Sequence, residues 1–330
     1  MKKLIALYLF LIPAVVFAQD ASNTIPQQTA IKDTSRQRDL IDIAKRLFKI
    51  DTQNPRIPRD KKVYFSFLPV PGAEPGGTGR SLITSTTAGI YLGPKSTTNI
   101  SSANFAPYWN LNERFGLPLR SSIWLKDNTW YIQGDMRLLV YPQYTWGLGD
   151  SHDYNDKTLA GDNYIRFYQS ALKRITPYFF AGGGYNLDYH SNIKSEDAGI
   201  DLQQFTGYAY GTSGRSFSSG VNLSLLYDTR NNSINPLPGS YINIVYRVNP
   251  AFMGSSNTWN SLYVDVRKYV PLNPANKNQQ NTLAFWSYLW TVFESNAPYL
   301  DLPSIGWDPY NRSGEGLDQS RYRGKSLFYA

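Results

Sequence analysis

From Lys62 onward, apolar and polar residues alternate along most of the chain. In 217–227, one face carries Phe217, Val221, Leu223, Leu225 and Tyr227, and the other carries Ser218, Gly220, Asn222 and Ser224. The segments 130–138 and 262–267 alternate in the same way and carry Asp135, Arg137, Asp265 and Arg267 on their polar faces. Since successive side chains of a strand point to opposite sides, this period of two predicts a sheet whose faces meet different environments.

Strands are predicted near 63–69, 80–93, 99–112, 116–126, 129–145, 163–175, 177–190, 215–229, 240–249, 259–271 and 281–293, and a last one begins near 322. Many are long enough to cross a bilayer at a tilt, which takes about 9–11 residues. Short connections at 127–129 and 175–177 interleave with long ones at 146–162, 191–214 and 294–321. A soluble β-sandwich would alternate too, but long strands, short turns on one side and long loops on the other favour an outer-membrane barrel.

We therefore predict an all-β fold, a transmembrane antiparallel β-barrel over residues 63–330, located in the bacterial outer membrane. The chain stops at Ala330 within a predicted strand, whereas a closed barrel needs a last strand that pairs with the first. We expect the sequence to contain about 11–12 strands and to lack the carboxy-terminal ones.

Two segments precede the barrel. Residues 1–18 have the features of a secretory signal peptide, because Lys2 and Lys3 stand before an apolar run that is too short for a membrane helix. Residues 19–62 are predicted to be a disordered leader with a short amphipathic helix within 34–50 and a proline-broken linker after it. That helix is expected either on the protein's own surface or at the inner membrane face or barrel mouth.

The composition favours a membrane protein and excludes several kinds of site and partner. Aromatic residues make up 15% of the chain, with 25 Tyr and 8 Trp, as expected for aromatic girdles at two membrane interfaces. The absence of cysteine excludes disulfides and thiolate metal sites. The net charge of +8 comes from scattered bases on an exported chain, which argues against nucleic acid. Expected partners are outer-membrane lipids, including lipopolysaccharide.

Two motifs resemble a known family. The run YDTRNNSINPLPGSY at 227–241 is similar to the strand–turn–strand "DTR…P…G" signature of the bacterial surface antigen family, the superfamily of BamA and TamA. The matching residues are Asp228, Arg230, Asn231, Pro236 and Gly239. The run RSGEGLDQSRYRGKSLFYA at 312–330 resembles that family's sixth extracellular loop and the strand after it, through Gly316, Arg321, Tyr322, Arg323 and Lys325.

The loop departs from the family pattern at its tip. The family has arginine, glycine and an aromatic residue there, and this chain has Glu315, Gly316 and Leu317, so the function of the tip is not transferred. The residues before the first strand are too few for a POTRA domain, the family's periplasmic module, so the resemblance is to the branch without one. The resemblance implies about 16 strands in a complete barrel, an even number as in other bacterial barrels.

The charged residues of both motifs have alternative explanations. Asp228 and Arg230 share one face of a strand, where they either form a pair that fixes the turn and holds a lumenal partner or belong to a solvated turn. Arg321 and Arg323 either anchor the 294–321 loop inside the barrel, against acids such as Asp265 or Asp135, or lie at the headgroup level.

Catalysis has little support. The chain has two histidines, and His190 with Ser191 and Asp188 is a weak candidate because adjacent strand residues point oppositely. The triplet Gly182–Gly184 lacks the lysine and helix of a phosphate loop and is expected to mark a bend. We predict no enzyme activity, cofactor or metal.

The family resemblance implies assistance in inserting or translocating outer-membrane proteins, which would be its clients, through an unstable seam between the first and last strands. The alternative function is a passive structural barrel or a pore that the 294–321 loop plugs.

Overall fold

The computed structural model describes residues 63–73, 80–110, 114–149, 152–230, 238–272, 281–307 and 316–330. The predicted signal peptide, the leader and the 34–50 helix lie outside these residues. Extended backbone follows all twelve predicted segments, and three of them are interrupted, so that the sheet has fifteen strands.

The first eight strands are β1 Val63–Ala73, β2 Arg80–Ile90, β3 Ser101–Phe105, β4 Tyr108–Trp109, β5 Phe115–Gly116, β6 Leu119–Trp124, β7 Trp130–Val140 and β8 Gln143–Thr145. The others are β9 Thr158–Thr176, β10 Phe179–Ser195, β11 Gly214–Asp228, β12 Gly239–Asn249, β13 Trp259–Pro271, β14 Thr282–Val292 and β15 Ser326–Tyr329. One short helix, α1 Leu202–Thr206, lies between β10 and β11, and Asp201 caps it by accepting a hydrogen bond from the Gln204 N–H. None of the helices in the described ranges is long and apolar enough to cross a membrane.

All strand pairs are antiparallel, and from β9 to β15 each strand pairs with the next in sequence. β1 pairs with β2 over eleven residues, and β15 pairs with β14 over four. Among the described residues, β1 and β15 are the two ends of the sheet.

The three interruptions each contain a proline: Pro107 between β3 and β4, Pro118 between β5 and β6, and Pro142 between β7 and β8. Proline has no N–H to donate to the ladder, so regular pairing stops there. The register continues across two of the gaps, because the Ala106 N–H donates to the Pro118 carbonyl at 3.2 Å and the Thr84 N–H donates to the Pro107 carbonyl at 3.0 Å. The three long predicted strands therefore have the expected extent, but the hydrogen bonding of each to its neighbours is interrupted at the proline.

Strand pairs are joined by tight turns at one end of the sheet. Between β6 and β7, Asp127 and Asn128 have positive φ values of 56° and 52°, as in the two-residue turns that match sheet twist. Residues 177–178 join β9 to β10 at the same end, and the Asp228 N–H at the end of β11 donates to the Tyr178 carbonyl at 2.9 Å. We call this end of the sheet the short-turn end.

The two faces of the sheet are reversed relative to a soluble protein. On β11, Ser218, Asn222 and Ser224 are buried, whereas Val221 and Leu223 are 48% and 58% exposed. Asp265 on β13 is fully buried while its neighbour Val266 is 40% exposed. Polar residues on the buried inner face and apolar residues on the outer face are what a lipid-facing barrel requires, which confirms the predicted alternation.

The inner face is filled in layers. A hydrophobic cluster closes the short-turn end and comprises Trp124, Tyr131, Leu172, Phe180, Leu226 and Tyr241. Charged residues occupy the middle. A second cluster, Tyr208, Trp259, Val292, Ala297, Tyr299 and Leu302, joins long loops to the strands at the opposite end.

This layering changes the explanation of the aromatic content. Trp130, Tyr178 and Tyr227 are exposed near the short-turn end, as expected of a girdle. Many other aromatic residues, such as Trp124 and Tyr288, are instead buried on the inner face. Their large rings fill a cross-section that smaller side chains would leave open.

The glycine triplet allows β9 and β10 to approach closely. A Cβ atom on Gly182 would lie 2.0 Å from the Ala171 carbonyl oxygen, and one on Gly184 would lie 2.1 Å from that of Gln169. The triplet therefore serves the backbone packing of the sheet, and the bend expected there stays a prediction.

Candidate functional site

A buried ion pair lies at the turn between β11 and β12. Asp228 ends β11, and the Arg230 guanidinium donates to its two carboxylate oxygens at 2.9 and 2.8 Å. The Arg230 N–H donates to the same carboxylate at 3.0 Å, and the guanidinium carbon lies 4.1 Å from the Tyr241 ring centre. Both charges are buried, so each compensates the other, and together they fix the path of the chain out of β11.

Gly239 completes this turn at the start of β12. A Cβ atom there would lie 3.1 Å from Arg230 Cα, so a glycine allows the two strand ends to approach. The Thr229 N–H donates to the Ser240 carbonyl at 2.9 Å, and the Ser240 N–H donates to Thr229 Oγ1 at 2.8 Å. Asn231 and Pro236, the other residues of the predicted turn motif, lie outside the described residues.

The same Asp-x-Arg geometry recurs on two other strands. Arg137 Nε donates to Asp135 Oδ1 at 2.8 Å on β7, and Arg267 Nε donates to Asp265 Oδ1 at 3.0 Å on β13. In both pairs the arginine Nη2 also bonds the second carboxylate oxygen. Residues two apart on a strand share a face, so this spacing in the sequence could have revealed the pairs.

The middle of the inner face centres on Asp188 of β10, which is almost fully buried. Arg247 Nη1 donates to one carboxylate oxygen at 2.6 Å, and Arg166 Nε donates to the other at 3.1 Å. The hydroxyls of Tyr164 and Tyr168 donate to the same carboxylate. Strands β9, β10 and β12 are thus joined across the interior by charge-assisted hydrogen bonds.

His190 links the strands to the covering loop, by which we mean residues 293–325 between β14 and β15. His190 Nδ1 lies 2.6 Å from Asp162 of β9, and Nε2 lies 3.2 Å from Asp301 of the loop. The Ser218 hydroxyl of β11 donates to the second oxygen of Asp301 at 2.6 Å. The Tyr164 ring stacks on His190 at 4.2 Å. Asp301 therefore fastens the loop to two strands.

Arg323 is a second attachment of the covering loop. Its Nη1 donates to the Tyr299 carbonyl at 2.9 Å, and its Nη2 donates to Gln143 Oε1 at 3.2 Å. Ser320 Oγ donates to the same Gln143 oxygen at 2.6 Å. Arg323 is 2% exposed, and burial lowers the pKa of its guanidinium. In the part of the chain that the structure describes, no carboxylate forms an ion pair with Arg323.

Burial and hydrogen bonds also raise the pKa values of two loop tyrosines, Tyr208 and Tyr154. Partial burial raises the pKa of Tyr208 to about 12, and its hydroxyl donates to the carbonyls of Ser295 and Ala297 at 3.0 and 2.7 Å. The Tyr154 hydroxyl donates to Asp318 at 2.6 Å, and this bond raises the pKa of Tyr154. Both bonds join the covering loop to another long loop.

The predicted loop residues do not act as one group. Arg321 Nη2 donates to the His152 carbonyl at 3.1 Å and its guanidinium lies 5.6 Å from the Trp146 ring, so it contacts the loop between β8 and β9. Gly316 has a φ of 80°, a conformation that favours glycine. Glu315 lies outside the described residues.

The structure corrects two expectations about these arginines. The last strand begins later than the predicted position near 322, because β15 begins at Ser326, and Arg321 and Arg323 both belong to the loop. Arg323 pairs with neither Asp265 nor Asp135, since each of those carboxylates is already held by an arginine two residues along its own strand.

The residues that attach the loop were not singled out by the sequence as a group. Asp162, Asp301 and Ser218 are far apart in the chain, and none belongs to a motif. The only indication in the sequence was the alternation of polar residues, which assigns Ser218 to the inner face.

The weak catalytic candidate does not assemble. Both ring nitrogens of His190 face aspartates, and Asp188 is held by two arginines and two tyrosines, so no triad with Ser191 forms. Within the described ranges, no group of three or more His, Cys, Asp or Glu side chains could hold a metal ion.

A sheet that buries charges on one face, exposes apolar residues on the other and draws a loop onto the buried face has the architecture of a membrane β-barrel with a filled interior. A family model described as the Omp85 superfamily domain matches residues 77–294. The match covers more than half of the chain, which therefore belongs to the Omp85 superfamily, a family of bacterial outer-membrane barrels for protein insertion and translocation. This confirms the predicted resemblance and the all-β fold.

Among solved structures, the chain is similar to the crystal structure of BamA from Haemophilus ducreyi lacking POTRA domains 1–3, with 16% sequence identity and a TM-score of 0.43. The similarity covers 75% of this chain and 45% of that one, so the chain spans less than half the length of that structure. No curated protein matches the chain.

Proposed function

We propose that this barrel assists the insertion or translocation of outer-membrane proteins, and that β1 forms the surface on which a client strand pairs. Membership of the Omp85 superfamily supports the general role. The observation that carries the finer proposal is the position of β1, which pairs with β2 over eleven residues and is one of the two ends of the sheet among the described residues.

The side chains of β1 suit pairing at a lipid-facing seam. Tyr64, Phe65 and Phe67 are 43%, 65% and 56% exposed, so both faces of the strand carry apolar surface. An open strand edge is a template for an added strand, and apolar flanking side chains favour one that arrives from the membrane.

A pore that the covering loop plugs is the second candidate, supported by the attachment of that loop to the inner face through Asp301 and Arg323. The buried clusters at both ends of the inner face favour assembly over free diffusion. Cavities remain between them, of about 30 Å³ beside Arg166 and Arg247 and about 180 Å³ beside Arg120 and Gln319.

The first test is reconstitution of the full-length protein in liposomes, with measurement of ion conductance and of the folding rate of a client barrel. Assembly activity predicts faster client folding without steady conductance. Steady conductance with no acceleration would favour the pore.

The second test uses the absence of cysteine, which makes single-cysteine variants unambiguous. Ser66→Cys on β1 is expected to form a disulfide with a cysteine in the terminal strand of a folding client. Thr87→Cys is the matched control, because Thr87 is the register partner of Ser66 inside the sheet. Equal crosslinking at both positions would contradict pairing at β1.

A further inference from the structure

The middle layer of the inner face contains more arginine than its two central aspartates neutralise. Arg137, Arg166 and Arg247 are all buried, and the carboxylates that hold them are Asp135 and Asp188. A buried cation is costly unless anionic or hydrogen-bonding groups surround it. Any N–H of these arginines that lacks a partner is therefore suited to an added acceptor.

Three buried donors on the wall of one cavity have no hydrogen-bond partner: Arg166 Nη1, Arg247 Nη2 and Trp307 Nε1. Arg166 Nη1 forms an ion pair with a carboxylate oxygen of Asp135 at 3.6 Å, and this distance is too long for a hydrogen bond. Arg166 and Arg247 are each more than nine-tenths buried. Among the described residues that line this cavity, no buried side-chain acceptor lacks a partner.

The geometry brings the two guanidinium groups close together. Their central carbons lie 4.3 and 5.1 Å from the centre of the same ring, that of Tyr168, and both groups bond Asp188. With Asp188 satisfied on one side, the unbonded nitrogens remain for a ligand on the other. Trp307 belongs to the covering loop, so this loop supplies the third donor.

Two other carboxylates line the cavity and would repel an anion if they were free. Asp162 and Asp301 are each bonded to His190, and Asp301 also accepts from Ser218. Since ionised carboxylates only accept hydrogen bonds, both ring nitrogens of His190 must donate, which makes the ring a cation. The repulsion from this side is thereby reduced to that of one net negative charge, since one cation faces two carboxylates.

The size of the cavity selects the ligand. Its volume of about 30 Å³ compares with the roughly 10–15 Å³ that one water molecule needs. It can hold two waters or one small anion, and a phosphate-bearing lipid headgroup is too large.

We propose that this cavity binds one small inorganic anion of chloride size through Arg166, Arg247 and Trp307. Such an ion accepts from all three donors. Because Trp307 contributes a donor, the bound anion also helps to hold the covering loop on the inner face.

The test compares thermal unfolding of the full-length protein in detergent micelles in sodium chloride and in sodium gluconate at equal ionic strength. Gluconate is too large for the cavity, so only chloride is expected to raise the unfolding midpoint. At a concentration five times the dissociation constant, one site gives a rise of about 2–4 °C. Above the dissociation constant the rise should continue in proportion to the logarithm of the chloride concentration, as for a single site.

Two variants test the location of the site. Trp307→Phe keeps the ring and removes the donor, and it is expected to weaken the apparent chloride affinity about tenfold, the value of one hydrogen bond to a charged group. Trp286→Phe is the matched control, since the Trp286 indole donates to Asp265 at 3.0 Å outside this cavity. Trp286→Phe should lower the midpoint equally in both salts and leave the chloride dependence unchanged.

Diffraction provides a direct measurement. Crystals grown in bromide should show an anomalous peak between Arg166, Arg247 and Trp307. Equal midpoints in chloride and gluconate would overturn the proposal, whether the cavity then holds only water or a peak appears as binding at crystal concentration only. An unchanged chloride affinity in Trp307→Phe would overturn the assigned location.

Discussion

Replacing Arg323 with alanine tests whether hydrogen bonds from one buried guanidinium hold the covering loop in the barrel. Arg323 donates to the Tyr299 carbonyl at 2.9 Å and to Gln143 at 3.2 Å, and a third contact, to Ser320, is longer at 3.4 Å. Gln143 belongs to β8, whereas Tyr299 and Ser320 belong to the loop. The guanidinium therefore connects both ends of the loop to the barrel wall.

The magnitude follows from the two shorter bonds. A hydrogen bond that involves a charged group contributes about 1.5–3 kcal/mol in net terms. The lower value applies here, because no carboxylate in the described ranges forms a direct ion pair with Arg323 and burial lowers the pKa of its guanidinium. Two such bonds amount to about 3 kcal/mol, which is a factor of about 150 in the population of the opened loop.

Limited proteolysis measures this population, since cleavage of a transiently open segment follows its opening equilibrium when closing is fast. Chymotrypsin is the suitable protease, because trypsin would lose a cleavage site with the arginine itself. Arg323→Ala should be nicked within the covering loop about 150 times faster than wild type. Lys325→Ala is the control, since Lys325 is exposed and this substitution also removes one positive charge. A nicking rate for Arg323→Ala within twofold of wild type would refute the assigned role.

Four further predictions follow from the same structure. Asp301→Asn removes the charge between His190 and Ser218 and should lower the free energy of unfolding by about 3 kcal/mol in a urea titration, whereas the exposed control Asp153→Asn should have little effect. Leu223→Arg places a charge on the outer face and should cost about 2–4 kcal/mol when unfolding is measured in vesicles, a loss not expected for Ser213→Arg in a loop. Gly184→Ala should reduce the yield of folded protein, because its Cβ would lie 2.1 Å from the Gln169 carbonyl oxygen; a normal yield would show that β9 and β10 can separate. Since the pKa of Tyr208 rises from 10.0 to about 12 on folding, its contribution to stability is complete below pH 10 and is lost as the pH rises towards 12, and the tyrosinate absorbance gained near pH 12 should be smaller by one residue in Tyr208→Phe.

Much of the fold was predictable because a membrane barrel imposes a repeated local rule. Each strand must place every second residue in lipid, so the alternation at 217–227 identified both the strand and its faces before any contact was known. The prolines that break the ladder at 107, 118 and 142 were visible too, but the segments were read as continuous because their extended backbone is uninterrupted.

The site was predictable only where its residues are close in sequence. Asp228 and Arg230 were singled out because a spacing of two places both on one face, and the structure shows them bonded. For Arg323 the sequence left two explanations open, and the one that placed it in the interior named Asp265 or Asp135 as partners. A strand pattern does not show that these carboxylates are already neutralised by their own neighbours.

The sequence by itself determined the strands, the lipid-facing side and the family, since each depends on local periodicity or on a short motif. Only the tertiary structure showed that Asp162, His190, Ser218 and Asp301 meet, and that Arg166, Arg247 and Trp307 surround one small cavity. The physical reason is that burial and charge compensation depend on which strands and loops come together across the interior, and residues more than a hundred positions apart, such as His190 and Asp301, carry no shared local pattern.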